Sequence, residues 1–312
     1  MLKYNYFTYY GGQFQSLYEI NLLILSACEE IVKTERGNNI QGPIDLSAFE
    51  NIILIDCFGG SGNITINRPP LFKKAILNEL NKDIYLLHKL MVDSTKNEEL
   101  IRRLSAIPYS REVFEEAKRL RETEFDRLDE FQKAEVMFTL LNQSFNGAMG
   151  SWSNTEVPKN YNDRLYRTLQ KIKQRYEGVE VKNDDGLNLI EQYKNEKYTI
   201  LFLDPPYLEE TRSAKNVYEL EFTKEQHERL LYLIKDALCK VILIGYKNDL
   251  YDGILLNGDK GWRSFVLQET FLSCQYVTMG EQKRKVCKHV WINFEPNDLA
   301  KYKIVGLNKS EV

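Results

Sequence analysis

The residues most suggestive of chemistry stand directly after one short apolar segment. Ile200–Leu203 has the composition of a buried strand, and Asp204, Pro205, Pro206 and Tyr207 follow it. Because proline cannot continue a central strand, the chain must leave the sheet there in a fixed geometry. The segment therefore predicts a carboxylate, a fixed backbone carbonyl and an aromatic ring at the carboxyl edge of a sheet, where α/β folds bind ligands. Two acceptors beside a flat ring suit a planar base that carries an amino group.

A glycine-rich segment and an acidic residue follow two further predicted strands. Asn51–Asp56 is apolar and precedes Cys57–Asn63, whose glycines permit a tight turn and a close approach of the backbone to a ligand. Lys73–Leu77 is the next strand-like run, and Glu79 stands just beyond it. An acidic residue after the second strand of a nucleoside-binding α/β fold commonly binds ribose hydroxyls. The combination predicts a ligand that contains a nucleoside.

These segments resemble the Dam-like DNA methyltransferases, which transfer a methyl group from S-adenosylmethionine to adenine N6. Phe58–Gly62 matches the Phe-x-Gly-x-Gly cofactor loop of that family, and Asp204–Tyr207 matches its catalytic motif. The order of the two motifs along the chain is that of the family. Tyr9–Gln13 resembles the family's N-terminal motif, with Gln13 in place of the usual lysine. Asn183–Leu187 resembles the segment whose acidic residue contacts the adenine of the cofactor.

The resemblance implies a set of site residues and an α/β fold. The expected fold is a Rossmann-like class I methyltransferase sheet with helices on both faces and an inserted, mainly helical lobe. The implied catalytic residues are Asp204, Pro205, Pro206 and Tyr207. The implied S-adenosylmethionine site consists of Tyr10, Gly11, Gly12, Gln13, Asp56, Phe58, Gly60, Gly62, Glu79, Asp185 and Asp204. No metal site is expected, because the histidines and cysteines show no ligand spacing.

The chemistry of methyl transfer gives the catalytic residues their roles. An exocyclic amino group is a poor nucleophile because its lone pair is delocalised into the ring. Hydrogen bonds from its two N–H groups to the Asp204 carboxylate and the Pro205 carbonyl would favour an electron-rich nitrogen, while Tyr207 would stack on the base. In a duplex the amino group is out of reach, so the base must be flipped into the pocket.

Periodicity predicts further strands at Val179–Lys182, Tyr198–Leu203, Lys240–Ile244, Arg263–Gln268 and Val286–Phe294. It also predicts a helix over Thr223–Leu238, with Thr223 as its N-cap and Gln226 three residues on.

The chain divides into two predicted regions. Residues 1–83 and 176–312 are expected to form the cofactor-binding catalytic domain. Residues 84–175 are charged and helical in pattern and lie between the cofactor and catalytic motifs. In the Dam-like family the target-recognition region occupies that place, so this stretch is expected to bind double-stranded DNA.

Two clusters of basic residues are candidate contacts for DNA phosphates, although the net charge is -3. For each cluster a solvated helix face or edge strand is the competing interpretation, and a structural role competes for the polar and aromatic residues beside them. The candidate DNA-binding residues are Asn146, Trp152, Asn154, Lys159, Arg164, Arg167, Lys171, Lys283, Arg284 and Lys285.

The composition limits the expected cellular location of the protein, and two alternative functions have to be kept beside the main prediction. The 312 residues contain no apolar run long enough to span a membrane and no secretory pattern. Five cysteines without paired spacing favour a reducing cytoplasm. A monomer or weak dimer is expected, with a cognate restriction endonuclease as a possible partner. Two alternatives stay open: a methyltransferase for another amino group, such as cytosine N4, an RNA base or a protein amide, and a non-catalytic nucleic-acid-binding relative.

Overall fold

The computed structural model describes residues 3–9, 11–36, 46–211, 221–258, 260–271 and 285–305. Within these residues, seven strands form one mixed sheet in the order β3-β2-β1-β4-β5-β7-β6. Their bounds are β1 Ile53–Asp56, β2 Lys74–Asn78, β3 Val179–Lys182, β4 Thr199–Leu203, β5 Lys240–Tyr246, β6 Arg263–Phe271 and β7 Lys285–Ile292. Every strand predicted from the sequence is present, with small shifts at the ends.

The sheet combines parallel and antiparallel pairs. β4 pairs in parallel with β1 on one side and β5 on the other, and β2 pairs in parallel with β3. β7 pairs antiparallel with both β5 and β6. All five residues of β4 are buried, as expected for a strand whose two faces are both covered. The predicted α/β, Rossmann-like sheet is confirmed.

Eleven helices lie in the part of the chain that the structure describes. Their bounds are α1 Leu17–Arg36, α2 Asn63–Ile66, α3 Lys82–Val92, α4 Asn97–Ala106, α5 Arg111–Thr123, α6 Glu130–Gln143, α7 Tyr161–Arg175, α8 Gly186–Tyr193, α9 Lys224–Ile234, α10 Asp249–Leu255 and α11 Asp298–Ala300. A capping box fixes the start of α9, where Thr223 accepts from the Gln226 backbone and the Gln226 side chain accepts from Thr223, as the sequence predicts. None of the helices in the described ranges is long and apolar enough to cross a membrane.

The chain divides into two compact units. The first unit is Met1–Phe14, Gly59–Asn67 and Ala75–Asn183, and the second unit is Gln15–Phe58, Arg68–Lys74 and Asp184–Val312. Helices α3 to α7, the predicted insertion, belong to the first unit together with β3, most of β2 and residues 59–63 of the glycine segment. The division into a catalytic domain of 1–83 and 176–312 and an insertion of 84–175 stays a prediction.

Helices α5 and α6 enclose a small apolar core in the first unit. Phe114 and Ala117 of α5 are buried against Val136 and Leu140 of α6. Met149 and Trp152, in the segment that follows α6, pack against this cluster. Part of the segment predicted to contact DNA is therefore held by the hydrophobic core of its own unit.

Candidate active site

The glycine segment of the first unit adopts a conformation that only glycine accommodates readily. Gly60 and Gly62 have φ angles of 53° and 70°, in the left-handed region. A Cβ atom on Gly60 would lie 2.9 Å from the Tyr9 ring, and one on Gly62 would lie 3.0 Å from Cε1 of His88. The Gly59 N–H donates to the Asn78 carbonyl at 2.8 Å and so ties the loop to the end of β2.

Glu79 is a buried carboxylate beside this loop, with 8% of its surface exposed. Its Oε2 accepts the Gly60 N–H at 2.7 Å, and its Oε1 accepts the Asn81 N–H at 2.8 Å. Burial raises its pKa to about 7, while these backbone hydrogen bonds act in the opposite direction. A carboxylate has about four lone-pair sites, and backbone hydrogen bonds from Gly60, Asn81 and Leu80 use three of them, so about one remains for a hydroxyl donor. This acceptor therefore fits a ribose hydroxyl.

The N-terminal motif lies against the same loop. A Cβ atom on Gly12 would be 3.6 Å from Nδ2 of Asn63, and the Gly12 N–H donates to the Tyr9 carbonyl at 3.2 Å. Gln13 is buried, and its amide donates to the Gly11 carbonyl at 3.4 Å. Tyr10 lies outside the described residues. The structure thus brings Gly11, Gly12 and Gln13 together with the glycine loop and Glu79 in the first unit.

Three of the other predicted cofactor residues lie in the second unit. Asp56 is buried at the end of β1 and is in register with Phe202 of β4. The Phe58 ring packs against Gly186, the first residue of α8, where a Cβ atom would lie 3.0 Å from the ring. Asp185 caps α8 by accepting the Leu187 N–H at 2.8 Å. One carboxylate oxygen of Asp185 is thus used by the fold.

The catalytic motif begins one residue beyond β4. Asp204 and Pro206 are half-buried and Pro205 is buried. Tyr207 is 5% exposed, and its ring centroid lies 4.7 Å from that of Tyr246 in an edge-on arrangement. Tyr246 is the last residue of β5, and the sequence gives no motif that would select it. Its contact fixes the orientation of the ring that is predicted to stack on a base.

Charged and polar groups surround Asp204 in the second unit. Burial raises the pKa of the Tyr251 hydroxyl, and the negative charge of Asp204 adds to that effect. Burial lowers the pKa of Lys288, and the charge of Asp204 opposes the shift. Lys288 of β7 is in register with Tyr246 of β5. Lys288 and Tyr251 therefore both lie within electrostatic range of the Asp204 carboxylate.

Comparison with known families decides between the functions that this geometry would allow. A model of the family described as D12 class N6 adenine-specific DNA methyltransferase matches residues 33–259. The chain belongs to this family. A search of curated proteins found no match. Membership identifies an enzyme that transfers a methyl group from S-adenosylmethionine to adenine N6 in DNA, which confirms the predicted family, reaction and DNA substrate.

In this methyltransferase, most of the described candidate DNA-binding residues are exposed. Arg164, Arg167 and Lys171 lie on one side of α7, at spacings of three, four and seven residues. Lys159 and Asn154 are exposed before that helix. Lys283 and Arg284 lie outside the described residues. Lys285 begins β7, and its side chain is likewise not described.

Asn146 and Trp152 occupy a short turn of the methyltransferase after α6. Asn146 is exposed in the left-handed region, with φ 55°. The turn is closed by the Phe145 N–H, which donates to the Ser151 carbonyl at 3.0 Å. Trp152 is half-buried with its ring 6.4 Å from that of Tyr109. The packing gives Trp152 a structural role, and a contact of either residue with DNA stays a prediction.

Proposed function

We propose that this methyltransferase acts on adenine N6 in double-stranded DNA after the target base has been flipped out of the helix. The observation that carries the proposal is the position of Asp204 and Pro205 directly beyond the fully buried strand β4. Tyr207, held by Tyr246, supplies the aromatic face beside these two acceptors. Since a base inside the duplex cannot reach such a site, flipping is part of the proposal.

The acceptors act on the amino group of the base. The Asp204 carboxylate accepts one N–H and the Pro205 carbonyl accepts the other, which localises the lone pair on the nitrogen and orients it. S-Adenosylmethionine supplies an already activated methyl group. Fixed acceptors cost no reorganisation during the reaction, so the contribution of the chain is alignment and preorganised electrostatics.

The proposed cofactor contacts follow from the hydrogen-bond acceptors and glycines of each unit. Glu79 accepts a hydrogen bond from a ribose hydroxyl with the lone pair that Gly60, Asn81 and Leu80 leave open. Gly60 and Gly62 allow the backbone to approach the cofactor closely. Asp185 accepts from the adenine amino group with the oxygen that does not cap α8. The remaining proposed contacts are Tyr10, Gly11, Gly12, Gln13, Asp56, Phe58 and Asp204.

The exposed basic side of α7 is proposed to face DNA phosphates, with Asn146, Trp152 and Asn154 nearest the bases. Phosphate contacts position a protein on DNA, whereas specificity is read from base edges. We further propose a cytoplasmic enzyme that acts as a monomer or weak dimer. A cognate restriction endonuclease is the protein partner to look for.

Transfer of labelled methyl groups to matched DNA and RNA oligonucleotides tests the proposal. Digestion of the product to nucleosides should yield N6-methyladenine from duplex DNA. Recovery of N4-methylcytosine, or preferential methylation of RNA, would favour an alternative amino target. Absence of transfer to any nucleic acid, with binding retained, would favour the non-catalytic alternative.

The variant Asp204→Ala should abolish methyl transfer, because the carboxylate is proposed to hold the base. Since Asp204 is only one of many proposed cofactor contacts, cofactor affinity should stay within a few-fold of the wild-type value. Asp249→Ala removes an exposed carboxylate from α10 of the same unit and is the matched control. Calorimetry with S-adenosylmethionine and a single-turnover assay measure the two quantities. Wild-type turnover in Asp204→Ala would refute the assigned role.

A further inference from the structure

We propose that His88 and Tyr176 are positioning residues that hold the glycine loop in its cofactor-binding conformation. The inference deepens the proposed function, because it assumes that this loop binds S-adenosylmethionine. Neither residue belongs to a motif, and neither is among the residues predicted to contact the cofactor. Both lie in the first unit, His88 in α3 and Tyr176 immediately after α7.

Two short hydrogen bonds link these side chains to Gly60. His88 Nε2 lies 2.8 Å from the Gly60 carbonyl oxygen, and His88 Nδ1 lies 2.6 Å from the Tyr176 hydroxyl. A carbonyl oxygen can only accept, so Nε2 must carry the proton of a neutral imidazole. Nδ1 is then an acceptor, and the Tyr176 hydroxyl donates to it. The tyrosine hydroxyl therefore selects the tautomer that can bind the loop.

The surroundings keep the imidazole neutral and in place. His88 has no exposed surface, and burial lowers its pKa to about 4, with the Gly60 hydrogen bond opposing the shift. The rings of Tyr6, Phe7 and Tyr176 pack around it at centroid distances of 5.5 to 6.1 Å. At neutral pH the histidine is thus a fixed donor to the loop.

Hydrogen bonds hold the peptide groups on both sides of Gly60. Its N–H donates to Glu79 and its carbonyl accepts from His88, while the Tyr9 ring lies against its Cα. A rotation of either peptide would break a buried hydrogen bond. The free-energy cost of breaking it is greater than that of breaking a hydrogen bond exposed to solvent. The orientation of the Glu79 carboxylate and the course of the loop are therefore fixed by the same residue, Gly60.

The end of α7 is fastened to the same region by a second contact. Arg175 Nε donates to the Ile66 carbonyl at the end of α2 at 2.7 Å, one residue before Tyr176. Two successive residues thus tie α7 to the glycine loop and to the helix that follows it. Tyr176 therefore helps to hold the glycine loop, a role that its position after a basic surface helix does not suggest.

Three variants test the inference by calorimetric titration with S-adenosylmethionine. Tyr176→Phe keeps the ring but removes the hydroxyl, and His88→Met removes the donor to Gly60. Each should weaken cofactor binding about three- to tenfold, the effect of one buried hydrogen bond. His88→Gln places an amide donor near the position of Nε2 and should restore most of the affinity lost in His88→Met.

Tyr6→Phe is the matched control. It removes another buried hydroxyl from the same aromatic cluster, one that donates to the Leu87 carbonyl at 3.2 Å and does not reach Gly60. Its thermal stability should fall about as much as that of Tyr176→Phe, with cofactor affinity unchanged. Steady-state kinetics should show a raised KM for S-adenosylmethionine in Tyr176→Phe, with kcat and the KM for DNA near wild-type values.

Nitrogen NMR of labelled histidine gives a readout independent of activity. In wild-type protein the His88 ring should show the Nε2–H tautomer, and Tyr176→Phe should shift it toward a tautomeric mixture. Equal losses of affinity in Tyr176→Phe and Tyr6→Phe, or unchanged affinity in both Tyr176→Phe and His88→Met, would overturn the inference. A wild-type protein that does not bind S-adenosylmethionine would instead refute the proposed function.

Discussion

Glu79 shows how one side chain can serve the fold and a ligand at once. Both of its oxygens accept backbone hydrogen bonds, yet burial raises its pKa to about 7 from an ordinary value of 4.5. The folded protein therefore holds this proton more tightly than the unfolded chain does. Stability and ligand binding should each depend on pH through this single group.

Because of Glu79, the free energy of unfolding of the cofactor-free protein should fall as pH rises from about 4.5 to about 7. Over that range the unfolded chain has already lost the Glu79 proton, and the folded protein still retains it. Each unit of pKa difference corresponds to about 1.4 kcal/mol. Urea denaturation at several pH values should show this slope in wild type and its loss in Glu79→Gln. An unchanged slope in the variant would assign the dependence to other groups.

Cofactor affinity should show the opposite trend. Ribose hydroxyl donors favour the ionised carboxylate, so binding should release a proton below about pH 7 and weaken as pH falls. Calorimetry in buffers of different ionisation enthalpy measures that proton. Glu79→Gln should bind more weakly and without proton release, whereas Glu50→Gln, an exposed change in the second unit, should behave as wild type.

At the scale of elements, α7 carries two groups of basic residues, one that bonds to other parts of the fold and one that is exposed to solvent. Lys173 pairs with Glu98 of α4, and Arg175 donates to the Ile66 carbonyl. Arg164, Arg167 and Lys171 are exposed on another side of the helix. The helix therefore uses the cations of its last turn for packing and presents three others to solvent.

Neutralising those three cations together, as Arg164→Gln, Arg167→Gln and Lys171→Gln, should weaken binding to duplex DNA and flatten its salt dependence. Each phosphate contact contributes about 0.9 to the slope of log affinity against log salt. Fluorescence anisotropy at several salt concentrations measures both quantities, and calorimetry should show an unchanged cofactor affinity.

A matched triple consists of Lys224→Gln and Arg229→Gln in α9 and Lys235→Gln at its C-cap, and it changes the net charge equally. It separates local phosphate contacts from a general loss of positive charge. If both triples reduce the affinity and the slope to the same extent, the assignment of α7 as a DNA-facing helix fails.

The elements that could be predicted from sequence are those that local patterns determine. Val179–Lys182 is a strand with the predicted bounds, and Thr223 caps α9 with the predicted partner. β5 extends beyond the predicted Ile244 to Tyr246 because its end pairs with β7, a contact that sequence periodicity does not contain.

The candidate site likewise contains some residues that sequence motifs reveal and others that only tertiary contacts reveal. Glu79 and Asp204 stand in recognisable motifs after strands, so their types and spacing are informative. His88 and Tyr176 are far apart in sequence and meet only through tertiary packing. A buried histidine at helical spacing carries no signal that distinguishes a packing residue from one that positions a loop.

At the scale of the whole molecule, each unit is built from separate segments of the chain. The first unit needs residues 1–14 and 59–67 in addition to 75–183. Tyr6 and Phe7 are fully buried there, and Tyr6 packs on Phe138 of α6. Asn67 binds the backbone of Tyr4 through both its amide nitrogen and its amide oxygen.

A fragment that contains only residues 75–183 should therefore lack a fixed tertiary structure. Deleting Tyr6 and Phe7 removes two large aromatic side chains from the core, and one such loss costs about 3–5 kcal/mol. Circular dichroism should show helical content, with no cooperative thermal transition. Cooperative unfolding of this fragment would show that helices α3 to α7 form a self-sufficient domain.

The parallel pairing of β1 with β4 has a consequence for protein synthesis. Ile53 pairs with Thr199, so the apolar strand β1 leaves the ribosome long before β4, one of its two neighbours in the sheet, exists. The first unit, in contrast, has all of its segments once residue 183 has been made. During that interval the edge of β1 that pairs with β4 is open, and an open strand edge is the kind of segment that chains use to aggregate. Slowing translation between the two strands should therefore lower the yield of native enzyme, and a chaperone that shields apolar strands should restore it.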